Sequence, residues 1–281
     1  MVTVIITTAG NKIAELGVAI RSVLMQTYKD LELIVVSNGE NVQEMTDFLN
    51  SFKDIRIRSI FPVYHSSEYA SVKNLNAGLR YAKGKYITIL DDDDYWTDPQ
   101  KLEKQVKFLE DHSDYVAVGT NGTVVQSGGI LETNLPLDDA TLRENALLNN
   151  PIAHTTSMYR RVPLHTPIFY DEKLKRAKDW DLFLRLGSIG KFGFCNKLAN
   201  LPDNTVTWKD VRTMKKRRND AYWCLKVMWK HRHNAILGSF DEFRDGVDGI
   251  NKRWYNQYPH FAKAFTNNLF RWTVFTILSV L

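Results

Sequence analysis

Four consecutive aspartates at 91–94 directly follow a run of β-formers, "YITIL" at 86–90. Because this run is apolar apart from one Thr, it predicts a buried strand with the acids at its C-terminal end. Adjacent carboxylates repel one another, so a positive charge is expected among them. Carboxylate oxygens are ligands that Mg²⁺ and Mn²⁺ prefer. The pattern therefore predicts a divalent metal at this strand end, and the plainer alternative is an acidic surface turn that caps the next helix.

The elements that would position these acids alternate between strand and helix patterns over the first hundred residues. Apolar runs predict strands at 2–9, 31–38, 55–60 and 86–90. Apolar residues at helical spacing predict helices at 12–26, 41–52, 71–84 and 100–112. This order predicts an α/β fold with a parallel, right-handed sheet covered on both faces.

Ligands of such sheets bind outside the carboxyl ends of the strands. The sequence offers three of these ends, at 7–10, 37–40 and 91–94. Two local signals mark helix ends between and after them. Gly84 is predicted as the C′ residue of the helix at 71–84, and Asp98-Pro99 is predicted as an N-cap followed by Pro at the first helical position.

The pattern is weaker beyond residue 115. The stretch "YVAVGTNGTVVQSGG" at 115–129 predicts a hairpin with Asn121-Gly122 as its turn. Further along, the sequence predicts a short helix within 135–150, a strand at 153–161 and a helix at 177–190. From about 209 the chain is basic, aromatic and helical in pattern.

Composition excludes several classes of protein. The chain has 281 residues, a formal net charge of +5 and two cysteines, Cys195 and Cys224, which exclude a disulfide framework and a cysteine-rich zinc site. No basic leader precedes the first strand, and no run of about 18 apolar residues occurs. We therefore expect a cytoplasmic location, peripheral at the inner face of a membrane if the protein meets one. The apolar tail at 269–281 could be a core helix, an interfacial helix or the start of a longer segment.

Four stretches carry a resemblance to a known family. They read "VIITTAGN" (4–11), "AIRSVLMQTYKDLELIVVSNGE" (19–40), "LNAGLRYAKGKYITILDDDDYWTDPQKLEKQV" (75–106), and "AHTTSMYRR" (153–161) followed by "KDWDLFLRL" (178–186). In this order and spacing the motifs resemble the family 2 glycosyltransferases, inverting enzymes with the GT-A fold. The resemblance covers roughly residues 1–190.

The resemblance implies a GT-A (nucleotide-diphospho-sugar transferase) fold, with a mostly parallel central sheet flanked by helices and a helical C-terminal extension. We place the catalytic domain at 1–205. Its donor half would span about 1–112 and its acceptor half about 113–205. The basic, aromatic extension would then occupy 206–281.

The reaction that the resemblance implies is attack by an acceptor hydroxyl on the anomeric carbon of a nucleotide sugar, with the nucleoside diphosphate leaving from the opposite face. Aligned to the family pattern, Asp93 and Asp91 are the predicted ligands of Mn²⁺ or Mg²⁺, a Lewis acid at the diphosphate. Asp179 is the predicted base, and Asp181 is the reserve. Lys178 stands where the family has Glu, and a cation there would lower the pKa of the base and weaken it.

The same alignment implies the residues that bind the donor. They are Thr7, Thr8, Ala9, Asn38, Asn76, Asp91 and Asp92. The sequence departs from the family at 37–40, where Ser-Asn-Gly-Glu replaces Asp-Asp-Gly-Ser. An Asp that accepts from a uracil N3–H is replaced by a group that both donates and accepts. UDP is the expected nucleotide, with GDP or dTDP as alternatives.

Three further residues are candidate contacts to the acceptor or to phosphate. His154 stands where the family often has His-Ser-Thr, and its alternative role is that of a hydrogen-bonded scaffold residue. Trp96 and Trp180 flank the two acidic motifs. Their rings could stack on a sugar or fill the core.

The basic segment at 208–234 has three interpretations. It could be an amphipathic helix that packs on the catalytic domain with its cations in solvent. It could dock on an anionic membrane surface that presents a lipid-linked acceptor. Nucleic-acid binding is the third, but the sequence contains no recognised motif for it, so no nucleic-acid partner is expected.

The predicted function is metal-dependent, inverting transfer of a sugar to a hydroxyl of a glycan or lipid-linked acceptor. A degenerate transferase that serves as a binding or scaffold protein is the first alternative, since Ser37, Asn38 and Lys178 depart from the family pattern. A nucleotidyltransferase is the second. Such enzymes usually carry a Gly-rich basic phosphate loop after the first strand, and "TTAGNKIAE" at 7–15 is a poor version of it.

Overall fold

The computed structural model of the chain describes residues 1–39, 41–63, 70–126, 129–133, 138–146, 150–161, 168–195, 206–210, 223, 226–227 and 230–231. All of these residues belong to one compact unit, Met1–His231. The predictions for the apolar tail, and for most of the basic segment, lie outside the described residues.

Strands and helices alternate through the first half of the chain and become shorter in the second. The strands are β1 Val2–Thr8, β2 Leu31–Ser37, β3 Ile57–Ile60, β4 Tyr86–Asp91, β5 Tyr95–Trp96, β6 Tyr115–Gly119, β7 Thr123–Gln126, β8 Gly129–Glu132, β9 Met158–Arg160, β10 Lys191–Phe194 and β11 Val206–Asp210. The α-helices are α1 Ile13–Leu24, α2 Val42–Asn50, α3 Ala70–Tyr81, α4 Lys101–Asp111, α5 Asp139–Asn145 and α6 Lys178–Gly187.

The central sheet has seven strands in the order β10-β6-β9-β4-β1-β2-β3. The neighbours β3, β2, β1 and β4 are parallel, as are β10 and β6. β9 runs antiparallel between the two groups. The predicted α/β class with a mostly parallel sheet is confirmed.

Both faces of the sheet are covered. Successive residues of a strand point to opposite sides, so one strand contributes to the apolar clusters on both faces. Val2, Val4 and Ile6 of β1 pack in one apolar cluster with residues of α1, α2 and α4. Ile5 packs in the other cluster with residues of α3 and α6. This double coverage is why β1 and β2 are buried almost throughout rather than on alternate residues.

The predicted hairpin at 115–129 is wrong. β6 lies in the central sheet, whereas β7 belongs to a separate four-stranded sheet of order β5-β11-β7-β8. β7 pairs antiparallel with β8, so Asn121 and Gly122 lie between two sheets instead of turning a hairpin. The helical prediction is also wrong over Val206–Asp210, which pair with β7 and β5 beyond the boundary placed at 205.

Two helix-end signals act differently from the prediction. α3 ends at Tyr81, and a Cβ on Gly84 would lie 2.5 Å from the Thr3 nitrogen. Gly84 is therefore required for close approach to β1 and is not a C′ residue. α4 begins two residues after Pro99, and Asp98 Oδ1 accepts from the Gln100 nitrogen (2.9 Å) in the turn that precedes the helix.

Lys101 is a fully buried cation at the start of α4. Its Nζ donates to Gln105 Oε1 (2.8 Å) and lies 4.3 Å from the centre of the Trp96 ring. Burial lowers the pKa of Lys101 to about 7, against weaker opposing effects of Cys195 and Asp98. The charged form is disfavoured because the interior solvates an ammonium poorly.

We expect Lys101→Met to remove a pH dependence of stability. Between about pH 7 and 10.5 the unfolded chain keeps the proton that folded Lys101 has lost, so the wild-type free energy of unfolding rises with pH there. The free energy of unfolding of the variant, measured relative to wild type, should therefore fall across this window by at most about 1.4 kcal/mol per pH unit. Urea denaturation near pH 6.5 and near pH 9.5 measures it, and exposed Lys107→Met is the control. Parallel pH curves for the three proteins would contradict the assignment.

Candidate active site

The parallel register brings the three candidate strand ends into one row. Thr7 of β1 lies opposite Asp91 of β4, and Thr8 lies opposite Ser37 of β2. Since the carboxyl ends of parallel strands meet at one edge, the acidic stretch borders the loops that follow β1 and β2.

The acidic stretch is held by side chains from β1 and its loop. Thr8 Oγ1 donates to Asp92 Oδ2 (2.6 Å), and Lys12 Nζ forms an ion pair with Asp93 Oδ2. The hydrogen bond to Asp93 raises the pKa of Lys12. Lys12 thus supplies a positive charge of the kind that was expected among the four carboxylates.

The four carboxylates have different environments. Asp91 is exposed, Asp92 and Asp93 are half-buried, and Asp94 is buried. Burial raises the pKa of Asp92, the hydrogen bond from Thr8 opposes the rise, and the charge of Asp93 adds to it. The Asp94 nitrogen donates to the Asp91 carbonyl (3.2 Å), which closes the turn. Asp91 is therefore the carboxylate most open to a ligand.

A cavity of about 50 Å³ lies between the ends of β1 and β2. Gly10 has a φ of 79°, and a Cβ on Gly39 would lie 2.7 Å from the Ala9 carbonyl oxygen. The two glycines therefore let the loops approach each other. The residues that line the cavity are Ala9, Gly10, Ile13, Ser37, Gly39, Asn41, Glu44 and Met45.

A buried amide orients Asn38. Asn38 Oδ1 accepts from Asn74 Nδ2 (2.5 Å), and Asn74 on α3 is buried. The Asn38 nitrogen donates to the Thr8 carbonyl (3.3 Å), which fixes the backbone of this loop to β1. Since its oxygen is engaged, Asn38 offers mainly amide N–H donors to a ligand.

Asn76 has a structural role, and the donor contact predicted for it is corrected. Its Nδ2 donates to the Tyr170 carbonyl and to Glu172 Oε1, both at 3.0 Å. Its Oδ1 accepts from the Tyr170 nitrogen (2.8 Å). The buried amide is used within the protein and ties α3 to the segment at 168–174.

The predicted base, Asp179, lies in the first turn of α6, far from Asp91 in the sequence. Asp179 is half-buried and accepts from Asn150 Nδ2 (2.7 Å). His154 Nε2 and the Tyr170 hydroxyl are 2.7 Å apart. Burial lowers the pKa of His154, and the charges of Asp179 and Asp91 oppose this fall. The same two charges act on Tyr170, whose pKa burial raises. Asp179 is thus held by Asn150, and His154 and Tyr170 hold each other.

Asp181, the reserve base, is fully buried within an ionic cluster. Its Oδ1 meets His231 Nε2 (2.9 Å) and Lys230 Nζ (2.7 Å), and its Oδ2 accepts from Arg185 Nε (3.0 Å). Burial alone would raise the pKa of Asp181, but the His231 hydrogen bond and the two cations lower it to about 2. Because so weak a base accepts protons poorly, the reserve assignment is corrected and Asp181 is a structural anion.

Of the two roles considered for Trp96 and Trp180, the structure agrees with core filling and not with a sugar contact. They are 4% and 5% exposed. Trp96 Nε1 donates to the Thr155 carbonyl (3.1 Å), and Trp180 Nε1 donates to the Ala146 carbonyl (2.6 Å). Each indole has its polar atom satisfied inside the protein, as buried Trp normally does.

Sequence reasoning missed three residues of the site. Lys12 could have been found, since it follows the loop of the first strand and is a cation near a strand end. Asn150 and Tyr170 lie in irregular segments, where no periodic pattern marks which side chains face the site.

The family model for Glycosyl transferase family 2 matches residues 3–166, more than half of the chain. The chain belongs to glycosyl transferase family 2. The resemblance inferred from the motifs is confirmed, and with it the enzyme class, glycosyltransferase.

Curated relatives are similar over most of this chain. It is 29% identical over 248 residues to the chondroitin synthase of Pasteurella multocida (strain Pm70), covering 86% of this chain and 24% of that protein. A hyaluronan synthase of Pasteurella multocida is 29% identical over 247 residues with the same coverage. The chain therefore spans about a quarter of the length of these two relatives.

Solved glycosyltransferases share the fold. Residues 1–349 of S. aureus TarS superpose with a TM-score of 0.68 at 16% identity, covering 98% of this chain and 77% of that chain. The mannosyltransferase PcManGT from Pyrobaculum calidifontis gives a TM-score of 0.57 at 14% identity, covering 99% and 84%. The predicted GT-A fold is confirmed.

The donor set of the acidic turn suits a metal that is shared with its substrate. Among the residues described, no three His, Cys, Asp or Glu side chains form a metal-ligating group. Mg²⁺ is commonly held by only one or two carboxylates together with substrate phosphates. Asp91 and Asp93, two residues apart on one turn, fit a site of that open kind.

The described part of the basic segment packs on the catalytic domain. Val227 is fully buried and His231 is 7% exposed, while Lys226 and Lys230 remain at the surface. This agrees with the packing interpretation for these residues, and membrane docking stays a prediction. No helix in the described ranges combines the length and the apolar character needed to cross a bilayer.

We expect Asn76→Ala to lower the free energy of unfolding by about 2 kcal/mol or more, because it leaves buried groups of the Tyr170 segment unpaired. Donor nucleotide binding to the folded variant should change little, since the amide faces inward. Chemical denaturation and nucleotide titration measure the two effects, with exposed Gln43→Ala as the control. Unchanged stability together with lost nucleotide binding would restore Asn76 as a donor contact.

Proposed function

We propose that the chain transfers a sugar from a nucleoside-diphosphate sugar to a hydroxyl of a glycan or lipid-linked acceptor, with inversion and with a divalent metal. One observation carries the proposal. The register of the parallel strands places the exposed Asp91 beside the ends of β1 and β2, at the sheet edge where such folds bind their ligands. An inverting displacement also needs a base on the acceptor side, and we assign that role to the half-buried Asp179, which Asn150 holds.

The solved structures support a nucleotide-sugar donor. TarS has been crystallised with UDP and with UDP-GlcNAc, and PcManGT with GDP-Man and Mn²⁺. The relatives named chondroitin synthase and hyaluronan synthase favour a glycan as the acceptor. Because the chain spans only a quarter of those two proteins, the acceptor remains part of the proposal.

On the donor side, Asp93 and Asp91 would hold Mn²⁺ or Mg²⁺, and the bound ion supplies Lewis-acid stabilisation of the leaving diphosphate. Thr8 fixes Asp92 so that the turn keeps its shape. Lys12 already offsets part of the negative charge through its ion pair with Asp93. These side chains present the acidic turn to the diphosphate in a defined orientation.

On the acceptor side, Asp179 would take the proton of the attacking hydroxyl. Asn150 engages Oδ2, and we assign Oδ1 to the proton. Burial lowers the pKa of His154, the charges of Asp179 and Asp91 oppose this fall, and the charge of Lys178 adds a smaller lowering. A neutral His154 would then add no positive charge beside the base.

We assign the nucleobase to the edge near Asn38 and the cavity between β1 and β2. Thr7 and Thr8 end β1 at this edge, and Ala9 lines the cavity. UDP is the nucleotide we expect, and GDP or dTDP are the alternatives. Asn38 would donate to a base carbonyl oxygen, a group that uracil, thymine and guanine all carry.

Thermal shift measurements with UDP, GDP, dTDP and CMP, each with and without Mn²⁺, test the donor site. One nucleoside diphosphate should raise the melting temperature only when Mn²⁺ is present, because ligands stabilise the state that binds them. Asp93→Ala should abolish this shift, and exposed Asp111→Ala should retain it. No shift with any of these nucleotides would count against an active transferase and favour the scaffold alternative.

Asp179→Asn should separate chemistry from donor binding. Loss of the base is expected to lower kcat for transfer by about 10²- to 10⁴-fold. The Mn²⁺-dependent nucleotide shift should persist, since Asp179 is placed on the acceptor side. Exposed Asp47→Asn is the matched control and should retain activity. A variant with normal kcat would remove Asp179 from the mechanism.

A further inference from the structure

The helix that carries the proposed base begins without a local cap. Ala177 at the N-cap position has a φ of 54°, in the left-handed region that side chains rarely adopt. No side chain caps this helix end. Because the first N–H groups of a helix have no partner inside it, such a start depends on tertiary contacts for its position. Asp179 lies in this first turn.

Tertiary contacts to α6 come from residues far along the chain. Asp181, two residues after the proposed base, is fully buried and bonded to Lys230 and His231 (2.7 and 2.9 Å). Arg185 of α6 itself supplies the third hydrogen-bonding partner. A buried carboxylate is tolerated only when it is paired, so removal of a partner is expected to disturb the turn that holds it.

Lys230 also joins a second element of the site. Its Nζ lies 2.8 Å from Asp171 Oδ2 as well as 2.7 Å from Asp181 Oδ1. Asp171 follows Tyr170, whose hydroxyl lies 2.7 Å from His154. One ammonium therefore connects α6 with the segment that presents Tyr170.

We propose that Lys230 and His231 are positioning residues that hold Asp179 in place through Asp181 and Asp171. These residues, placed by the sequence in a separate extension, then belong to the catalytic unit. The inference rests on the proposed function, since it concerns the base of that reaction. It assigns neither residue a contact with substrate.

Lys230→Met tests the proposal, with Lys226→Met as the matched control. Lys226 is exposed, and its Nζ lies 5.0 Å from the Trp223 ring, so its loss removes a cation from the same segment without touching α6. We expect Lys230→Met to lower kcat about tenfold to a hundredfold, as small displacements of catalytic groups do. The Kd of the donor nucleotide should stay within about twofold of wild type. Lys226→Met should change neither, and Lys230→Arg should recover most of kcat.

Hydrogen exchange gives a readout that does not need activity. Peptides that contain 178–183 should exchange faster in Lys230→Met than in wild type, while peptides from β1 and β4 should not change. His231→Gln, which keeps a hydrogen-bonding side chain, should show a smaller effect of the same kind. If Lys230→Met fails to fold, Asp171→Asn tests the same bridge while leaving Asp181 paired.

Two results would overturn the inference. One is wild-type kcat and wild-type exchange of 178–183 in Lys230→Met. The other is equal loss of nucleotide binding and kcat in a folded Lys230→Met variant, which shows that Lys230 does not act through the base. Absence of transfer by the wild-type protein would count against the proposed function alone, since the exchange experiment still decides whether Lys230 holds α6.

Discussion

Repulsion among the carboxylates at 91–94 is the constraint on which the donor side depends. A buried strand delivers four acids to one sheet edge, and the fold separates their environments. Asp94 is buried, Asp92 accepts from Thr8, and Asp93 pairs with Lys12, which leaves Asp91 exposed. The neighbours that do this come from β1 and its loop. The parallel register of β1 and β4 is therefore part of the site as well as part of the fold.

The acceptor side also places neighbouring carboxylates in different environments, one at the site and one buried and paired. Asp179 and Asp181 stand two residues apart in one helical turn, so their side chains point about 200° apart around the axis. Asp179 faces Asn150 and the site, and Asp181 faces the interior, where Lys230, Arg185 and His231 contact it. The same periodicity that exposes the proposed base forces its neighbour into the core. Lys230 and His231 then make that burial tolerable.

Several residues with functional chemistry turned out to be structural because their partners are remote in sequence. Trp180 donates to Ala146, and Asn76 binds the backbone of Tyr170, 94 residues away. The stretch of sequence around Trp180 or Asn76 contains neither of these partners. The Asn121-Gly122 signal failed for a related reason, since a chain that passes between two sheets uses the same flexible residues as a turn.

The sequence by itself determined the family, the four parallel strands of the donor half and the position of the acidic stretch, because local periodicity and motif order encode them. It also supplied the three carboxylates of the proposed chemistry, Asp91, Asp93 and Asp179. Only the tertiary structure decided that Lys12 neutralises the acids, that Asp181 is an internal ion and that Tyr170 joins His154. These depend on which side chains meet across elements, and contact between distant residues is a property of packing that no single stretch of sequence contains.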